Sequence, residues 1–168
     1  STFLKEFFKY RKALWFDLLN PETEDLLSQN PKSLSEQIEV RKKNIQWVVI
    51  DEIQKQPKLL DIVHFLIEST SLKFAMTGSS ARKLKKGSAN LLAGRAFINS
   101  LFPLTHIEMK EQFNLSNALH WGTLPKISHL TTIEEKKAFL TSYAQTYLKE
   151  EIWSEQIIRK LDPFRRFL

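Results

Sequence analysis

The strongest constraint on the fold of this chain is an alternation of short apolar runs with amphipathic segments. The runs ALWFDLL, IQWVVID, LKFAMTG and RAFINSLFP all have the length of a strand. The segments STFLKEFFKYRK, PETEDLLSQ, PKSLSEQIEVRKK and PKLLDIVHFLIEST instead predict helices, the last with its apolar residues on one face. Strands that alternate with helices are typical of crossover units, so the pattern predicts an α/β fold with a parallel sheet covered on both faces.

The pattern changes after about Pro103. LTHIEMKEQF, the long segment IEEKKAFLTSYAQTYLKEEIWSEQIIRKL and PFRRFL have helical periodicity and no convincing strand. We expect the long segment to break near Ile152. We therefore predict one α/β domain over residues 1–103 and, over residues 104–168, a helical appendage or the start of a second domain.

Length and composition indicate a globular protein of one ordinary domain's size. The chain has 168 residues, of which 42% are hydrophobic, and it contains neither an apolar run of membrane-spanning length nor a signal-peptide layout. It has no cysteine, which fits a reducing compartment, so we expect a cytoplasmic protein without membrane segments. Its only methionines are Met76 and Met109, so we expect a fragment.

Two adjacent carboxylates, Asp51 and Glu52, end the apolar run WVVID. In an open parallel sheet, ligands bind outside the carboxyl ends of the strands. An Asp at such an end can hold Mg²⁺, directly or through water, while the next carboxylate polarises a water for attack on a phosphate; four hydrophobic residues followed by Asp and Glu form the Walker B layout. The alternative is that Asp51 caps the following segment and Glu52 is solvated.

The next apolar run, KFAMTGSS, ends in hydroxyl side chains. Thr77, Ser79 and Ser80, with the exposed backbone near Gly78, could meet a γ-phosphate or its attacking water. The alternative is a serine-rich turn in which Gly78 supplies a permissive backbone angle.

The phosphate-binding loop GxxxxGK[ST] is not in the sequence. GSANLLAGRA, the nearest imitation, has six residues between its glycines and an Arg in place of the Lys, so we reject it. The first dipeptide, Ser1-Thr2, opens an amphipathic helix as the last residues of that motif would. We expect the loop to have ended just before residue 1.

Basic charge is concentrated in the middle of a chain whose formal charge is +6. The window from Ser71 to Arg95 has six basic residues and no acid: Lys73, Arg82, Lys83, Lys85, Lys86 and Arg95. It is interpreted either as a solvated loop or helix end, or as an anion site for nucleotide phosphate or a nucleic-acid backbone.

The ordered motifs WVVIDEIQKQPKLLD, KFAMTGSSARKLKKGSANLLAGRA, LFPLTHIE, GTLP and SYAQTYLKEEI, with STFLKE and ALWFDLLNPE before them and FRRFL after them, extend over essentially the whole chain. This set resembles the AAA+-like P-loop ATPases of bacteria and archaea that carry a C-terminal domain of largely unknown function. The resemblance implies an ATPase core with strand order 5-1-4-3-2, of which the first strand and the Walker A loop are missing here. Residues 1–103 would be the partial core, and residues 104–168 a helical lid or linker that leads into a missing C-terminal domain.

The resemblance also implies roles for residues of a nucleotide site that binds ATP and Mg²⁺. Ser1, followed by Thr2, resembles the Walker A hydroxyl that ligates Mg²⁺, Asp51 resembles the Walker B metal carboxylate, and Glu52 resembles the base that orients water.

Four further residues, on or after the fourth strand of the family, match site positions. Thr77 and Ser79 resemble a sensor at the end of that strand, and Arg82 and Arg95 are candidates for γ-phosphate contacts, one of them on a neighbouring subunit of a homo-oligomer. The alternatives are that Arg95 only joins a helix to a strand and that Arg82 only begins a solvated helix.

Two functions from different classes therefore stay open. The first is a Mg²⁺- and ATP-dependent phosphohydrolase core that drives an attached domain or a nucleic-acid partner, with this chain inactive alone. The second is a non-catalytic module whose basic window, residues 73–95, binds nucleic acid or an acidic protein.

Overall fold

The computed structural model of the protein describes residues 2–78, 92 and 94–147. The chain divides into two compact units, Ser1–Ala96 and Phe97–Leu168. The division predicted at residues 103 and 104 stays a prediction. None of the helices among the described residues is long and apolar enough to span a membrane.

The first unit contains a three-stranded parallel sheet. The strands are β1 (Ala13–Asp17), β2 (Trp47–Asp51) and β3 (Lys73–Met76), in the order β1-β2-β3. The first three predicted strands and their parallel pairing are thus confirmed, and the order agrees with the 4-3-2 part of the sheet that the family resemblance implies.

One helix precedes the first strand and three helices connect the strands. They are α1 (Thr2–Phe8), α2 (Pro21–Gln29), α3 (Ser33–Arg41) and α4 (Leu59–Ser69), with 3₁₀ turns at Lys42–Asn44 and Ile53–Lys55. The start of α2 shows the local chemistry clearly, because the Asn20 side chain accepts a hydrogen bond from Glu22 N at 2.9 Å and Pro21 occupies the first turn.

The core of the first unit lies between the sheet and helices α2 to α4. Val48 and Ile50 of the central strand are fully buried there against Leu34, Ile38 and Val63. Side chains alternate along a strand, so Val49 and Asp51 point to the opposite face of the sheet. On that face Phe8 of α1 contacts the rings of Trp15 and Trp47, with centroid distances of 6.1 and 5.2 Å.

The second unit is helical in its described part. It contains α5 (His106–Met109), a 3₁₀ turn at Lys110–Gln112, α6 (Leu115–Trp121), α7 (Pro125–Ser128) and α8 (Ile133–Tyr147). A capping box begins α5, because Thr105 accepts from Glu108 N at 3.3 Å while the Glu108 carboxylate accepts from Thr105 N at 2.8 Å. The break expected near Ile152 lies outside the described residues.

The fourth predicted strand, in RAFINSLFP, is wrong. Residues 96–102 form no strand, and the large side chains of this segment are exposed: Phe97 by 99%, Ile98 by 80%, Leu101 by 79% and Phe102 by 80%. An apolar run becomes a strand only where a neighbouring strand accepts its hydrogen bonds, and the described residues put none beside this segment.

Candidate functional site

The carboxyl edge of the sheet brings together three polar residues from three neighbouring chain segments. Asp17 and Asp51 are paired residues in the register of β1 and β2. Thr77 follows β3 directly, and it continues the pairing because Thr77 N donates to Ile50 O at 3.0 Å. Asp17, Asp51 and Thr77 therefore form one row across the edge where ligands of parallel sheets bind.

Asp51 is a buried carboxylate that accepts a hydrogen bond from the strand next to it. Only 1% of the residue is exposed, and its Oδ1 accepts from the hydroxyl of Thr77. Burial raises the pKa of the Asp51 carboxyl, whereas the hydrogen bond from Thr77 and the positive charge of Lys5 act to lower it.

Thr77 hydrogen bonds to both of the adjacent acidic residues, Asp51 and Glu52. Its hydroxyl oxygen accepts from Glu52 N at 3.2 Å while the hydroxyl donates to Asp51. The backbone also connects here, because Ile53 N donates to Thr77 O at 2.9 Å. Thr77 thus sets the position of the segment that leaves β2.

Glu52 turns the chain sharply away from the sheet. Its backbone is left-handed, with φ 63 and ψ 42, which costs a residue other than glycine roughly 1–2 kcal/mol. Buried Ile53, 1% exposed, and the two bonds to Thr77 hold this conformation. The Glu52 carboxylate accepts from the side-chain amide of Gln54, so the acid stays at the edge of the site.

Lys55 contacts the segments that follow β1 at the same edge of the sheet. Its ammonium donates to Leu18 O at 2.9 Å and forms an ion pair with Glu24 of α2. Both side chains of the pair are about one-third exposed, at 32% and 30%. This contact ties the loop after β2 to the loop after β1.

Asp17 is a member of this row that the sequence reasoning missed. Its Oδ1 accepts from Leu19 N at 3.0 Å, which forms a local turn after β1. A signal was present, because Asp17 ends the apolar run ALWFD just as Asp51 ends WVVID.

Two of the other predicted site residues, Thr2 and Arg95, are among the described residues. Thr2 is the first residue of α1 and is exposed. The structure does not bring Arg95 to Asp51; its side chain pairs with Glu68, in the last turn of α4, at 2.5 Å, and this guanidinium lowers the pKa of the Glu68 carboxyl. Three further predicted residues lie outside the described residues: Ser1, Ser79 and Arg82.

The donors of the site are all hard oxygen atoms. Carboxylates and hydroxyls suit Mg²⁺, which keeps most of its waters and needs only one or two protein carboxylates. In the part of the chain that the structure describes, no group of three or more His, Asp or Glu residues could hold a metal ion. The Asp51 carboxylate is an oxygen donor of the kind that Mg²⁺ prefers.

A parallel sheet whose carboxyl edge carries a buried aspartate, an adjacent glutamate and a hydroxyl from the next strand is consistent with a core of the P-loop NTPase class. A family model described as AAA domain matches residues 1–110. The chain therefore belongs to the AAA domain family, whose members have an ATPase-type core that binds nucleotide. No curated protein matches the chain, and no solved structure matches it.

Proposed function

We propose that this chain carries the Walker B half of a Mg²⁺-dependent ATPase core, which cleaves the bond to the γ-phosphate of ATP and drives an attached domain. One observation carries the proposal: a single hydroxyl, that of Thr77, joins the Asp51 carboxylate to the backbone of Glu52 at the ligand-binding edge of the sheet. Membership of the AAA domain family supports it.

Each residue has a distinct role in this proposal. Asp51 and the Ser1 hydroxyl would hold Mg²⁺, which would neutralise charge on the phosphates, and Thr2 and Ser79 would contact the nucleotide. Glu52 accepts the proton of the attacking water, and Thr77 keeps Asp51 and Glu52 in register.

The proposal includes a neighbouring copy of the protein. Arg82 or Arg95 would contact the γ-phosphate, one of them across a subunit boundary in a homo-oligomer, because a guanidinium stabilises the charge of the transferring phosphoryl group. Arg95 would have to leave Glu68 to do so. An exposed ion pair of this kind contributes only about 0–1 kcal/mol, so such an exchange costs little.

The decisive experiment removes the metal-binding charge while keeping the shape. In the whole protein that carries this sequence, Asp51→Asn is expected to abolish Mg²⁺-dependent ATP turnover, and Asp25→Asn, at an exposed position of α2, serves as the matched control. Turnover that survives Asp51→Asn would overturn the proposal. The 168-residue chain alone is expected to bind ATP weakly, because it contains no GxxxxGK[ST] loop; tight binding by calorimetry would contradict this.

The same variant, Asp51→Asn, distinguishes the ATPase from the non-catalytic alternative. If the window of residues 73–95 serves only to bind nucleic acid or an acidic protein, Asp51→Asn leaves that binding unchanged, and binding weakens steeply with salt. Of the window's basic residues, the described part contains Lys73 and Arg95. We further propose a cytoplasmic location, which cell fractionation tests.

A further inference from the structure

The amino edge of the same sheet is basic, with positive residues ahead of all three strands. Lys12 precedes β1, Lys42 and Lys43 precede β2, and Lys73 begins β3. Backbone bonds place these segments side by side: Gln46 N donates to Lys12 O at 2.8 Å, and Lys73 N donates to Gln46 O at 3.0 Å. Lys12 and Lys73 therefore flank Gln46 in one continuous row.

An open groove of about 490 Å³ lies at this edge. Lys42, Lys43 and Lys73 line it together with the hydroxyl residues Ser69–Ser71, and the described residues around it include no acidic side chain. All three lysines are exposed. The Ser69 and Thr70 hydroxyls donate to Phe65 O at 2.8 Å and to Leu66 O at 2.7 Å, so what this lining offers to an anion is mainly its ammonium donors.

The negative ends of two helices compensate only part of this positive charge. Both α3 and α4 end at the amino edge, and each helix terminus there is equivalent to about half a negative charge. Glu39 and Glu68, in the last turns of α3 and α4, add two carboxylates, which pair with Lys42 and with Arg95, each at 2.5 Å. Against these stand six positive side chains: Lys12, Arg41, Lys42, Lys43, Lys73 and Arg95. Positive charge therefore remains after the helix ends are compensated.

The lysine contacts within the protein are of a kind that a phosphate can replace. The Lys42–Glu39 pair joins side chains that are 42% and 62% exposed, so it contributes little to stability. The Lys73 Nζ atom lies 5.5 Å from the ring centroid of Trp47, and Lys73 remains exposed. Neither contact satisfies all three donors of an ammonium group.

We propose that this groove binds the phosphate backbone of a nucleic acid. The site lies at the sheet edge opposite Asp51, so a nucleic acid and a nucleotide would not compete for it. It differs from the basic window of residues 73–95 in sequence, because Lys42 and Lys43 supply two of its three lysines. The proposal does not depend on ATP hydrolysis.

The test measures binding of fluorescent 25-mers, one single-stranded and one duplex, to the 168-residue chain by anisotropy between 50 and 200 mM salt. The double variant Lys43→Ala/Lys73→Ala is expected to weaken duplex binding at least about tenfold at low salt and to reduce the slope of log K against log salt by about 1.8. The double variant Lys32→Ala/Lys58→Ala removes the same charge from helix starts at the other edge and is expected to change neither quantity.

Three results would overturn the proposal. Equal losses in both double variants would mean that only net charge matters. A loss confined to Lys83→Ala/Lys85→Ala would assign binding to the basic window instead, and tight binding of a poly-glutamate peptide without binding of either nucleic acid would assign the groove to an acidic protein. Circular dichroism and thermal melting of each variant show whether the fold is retained.

Discussion

The two edges of the three-stranded sheet differ in charge and in burial. At the carboxyl edge, Asp51 is 1% exposed and bonded to Thr77, and Lys55 is held by Leu18 O and Glu24. At the amino edge, the lysines are exposed, and the Lys42–Glu39 pair faces solvent. The carboxyl edge thus contains a buried, hydrogen-bonded carboxylate, whereas the amino edge presents exposed lysines to solvent.

The difference shows that buried and exposed charges act differently at the two edges of one sheet. A buried charge interacts strongly but only with partners that are correctly placed, because burial removes the water that would otherwise solvate it. Exposed charges interact weakly one by one, yet their sum attracts a polyanion and is screened by salt. Changes at the carboxyl edge should therefore affect chemistry and stability, and changes at the amino edge should affect salt-dependent binding.

The largest effect is expected from Glu52→Gln at the carboxyl edge. In the whole protein, this change should reduce ATP turnover by about 10²-fold or more, the usual effect of losing a general base, while ATP binding measured by calorimetry is retained. Glu36→Gln, an exposed glutamate of α3, is the matched control. Unchanged turnover would remove Glu52 from the mechanism, and lost ATP binding would mean that the residue acts in binding instead.

A smaller effect is expected from Thr77→Val, which keeps the shape of the side chain and removes its hydroxyl. Asp51 loses a donor and Glu52 N loses its acceptor, so the free energy of unfolding should fall by about 1–3 kcal/mol. The control is Ser33→Ala, because the Ser33 hydroxyl is buried and has no hydrogen-bond partner among the described residues. Chemical denaturation that gives equal changes for both variants would contradict a structural role for the Thr77 bridge.

The smallest expected effect is a change in stability, which we compare for one lysine from each edge of the sheet. Lys55→Met loses a half-buried ion pair and a bond to Leu18 O, so we expect destabilisation by about 1 kcal/mol. Lys42→Met loses only an exposed pair with Glu39 and should change stability by less than about 0.5 kcal/mol. Thermal melting at low and high salt measures both, and equal effects would mean that the two edges do not differ in burial as described.

The sequence predicted the elements that have strong local signals. Continuous apolar runs of strand length became β1, β2 and β3, and the segments between them became α2, α3 and α4, because Asn20-Pro21 and the helical spacing of apolar residues act locally. The run RAFINSLFP has the same signal but forms no strand, since a strand also depends on a partner that the run itself does not encode.

The candidate site was predicted in part for the same reason. Asp51, Glu52 and Thr77 follow apolar runs, and their meeting at one edge follows from parallel pairing. That Thr77 bonds both Asp51 and the backbone of Glu52 could not be read from spacing, because residues 26 and 25 positions apart meet only through the register of β2 with β3. The pairing of Arg95 with Glu68 likewise depends on the tertiary fold.

By itself, then, the sequence determined the alternation of strands and helices, the family of the protein and the two acids at the end of β2, because all of these are carried by local pattern and order. Only the tertiary structure decided which partners those acids have, that Glu52 adopts a left-handed backbone, and that the lysines ahead of β2 and β3 share one groove. The physical reason is that a hydrogen bond or a groove is a relation between segments distant in the chain, and packing alone sets that relation.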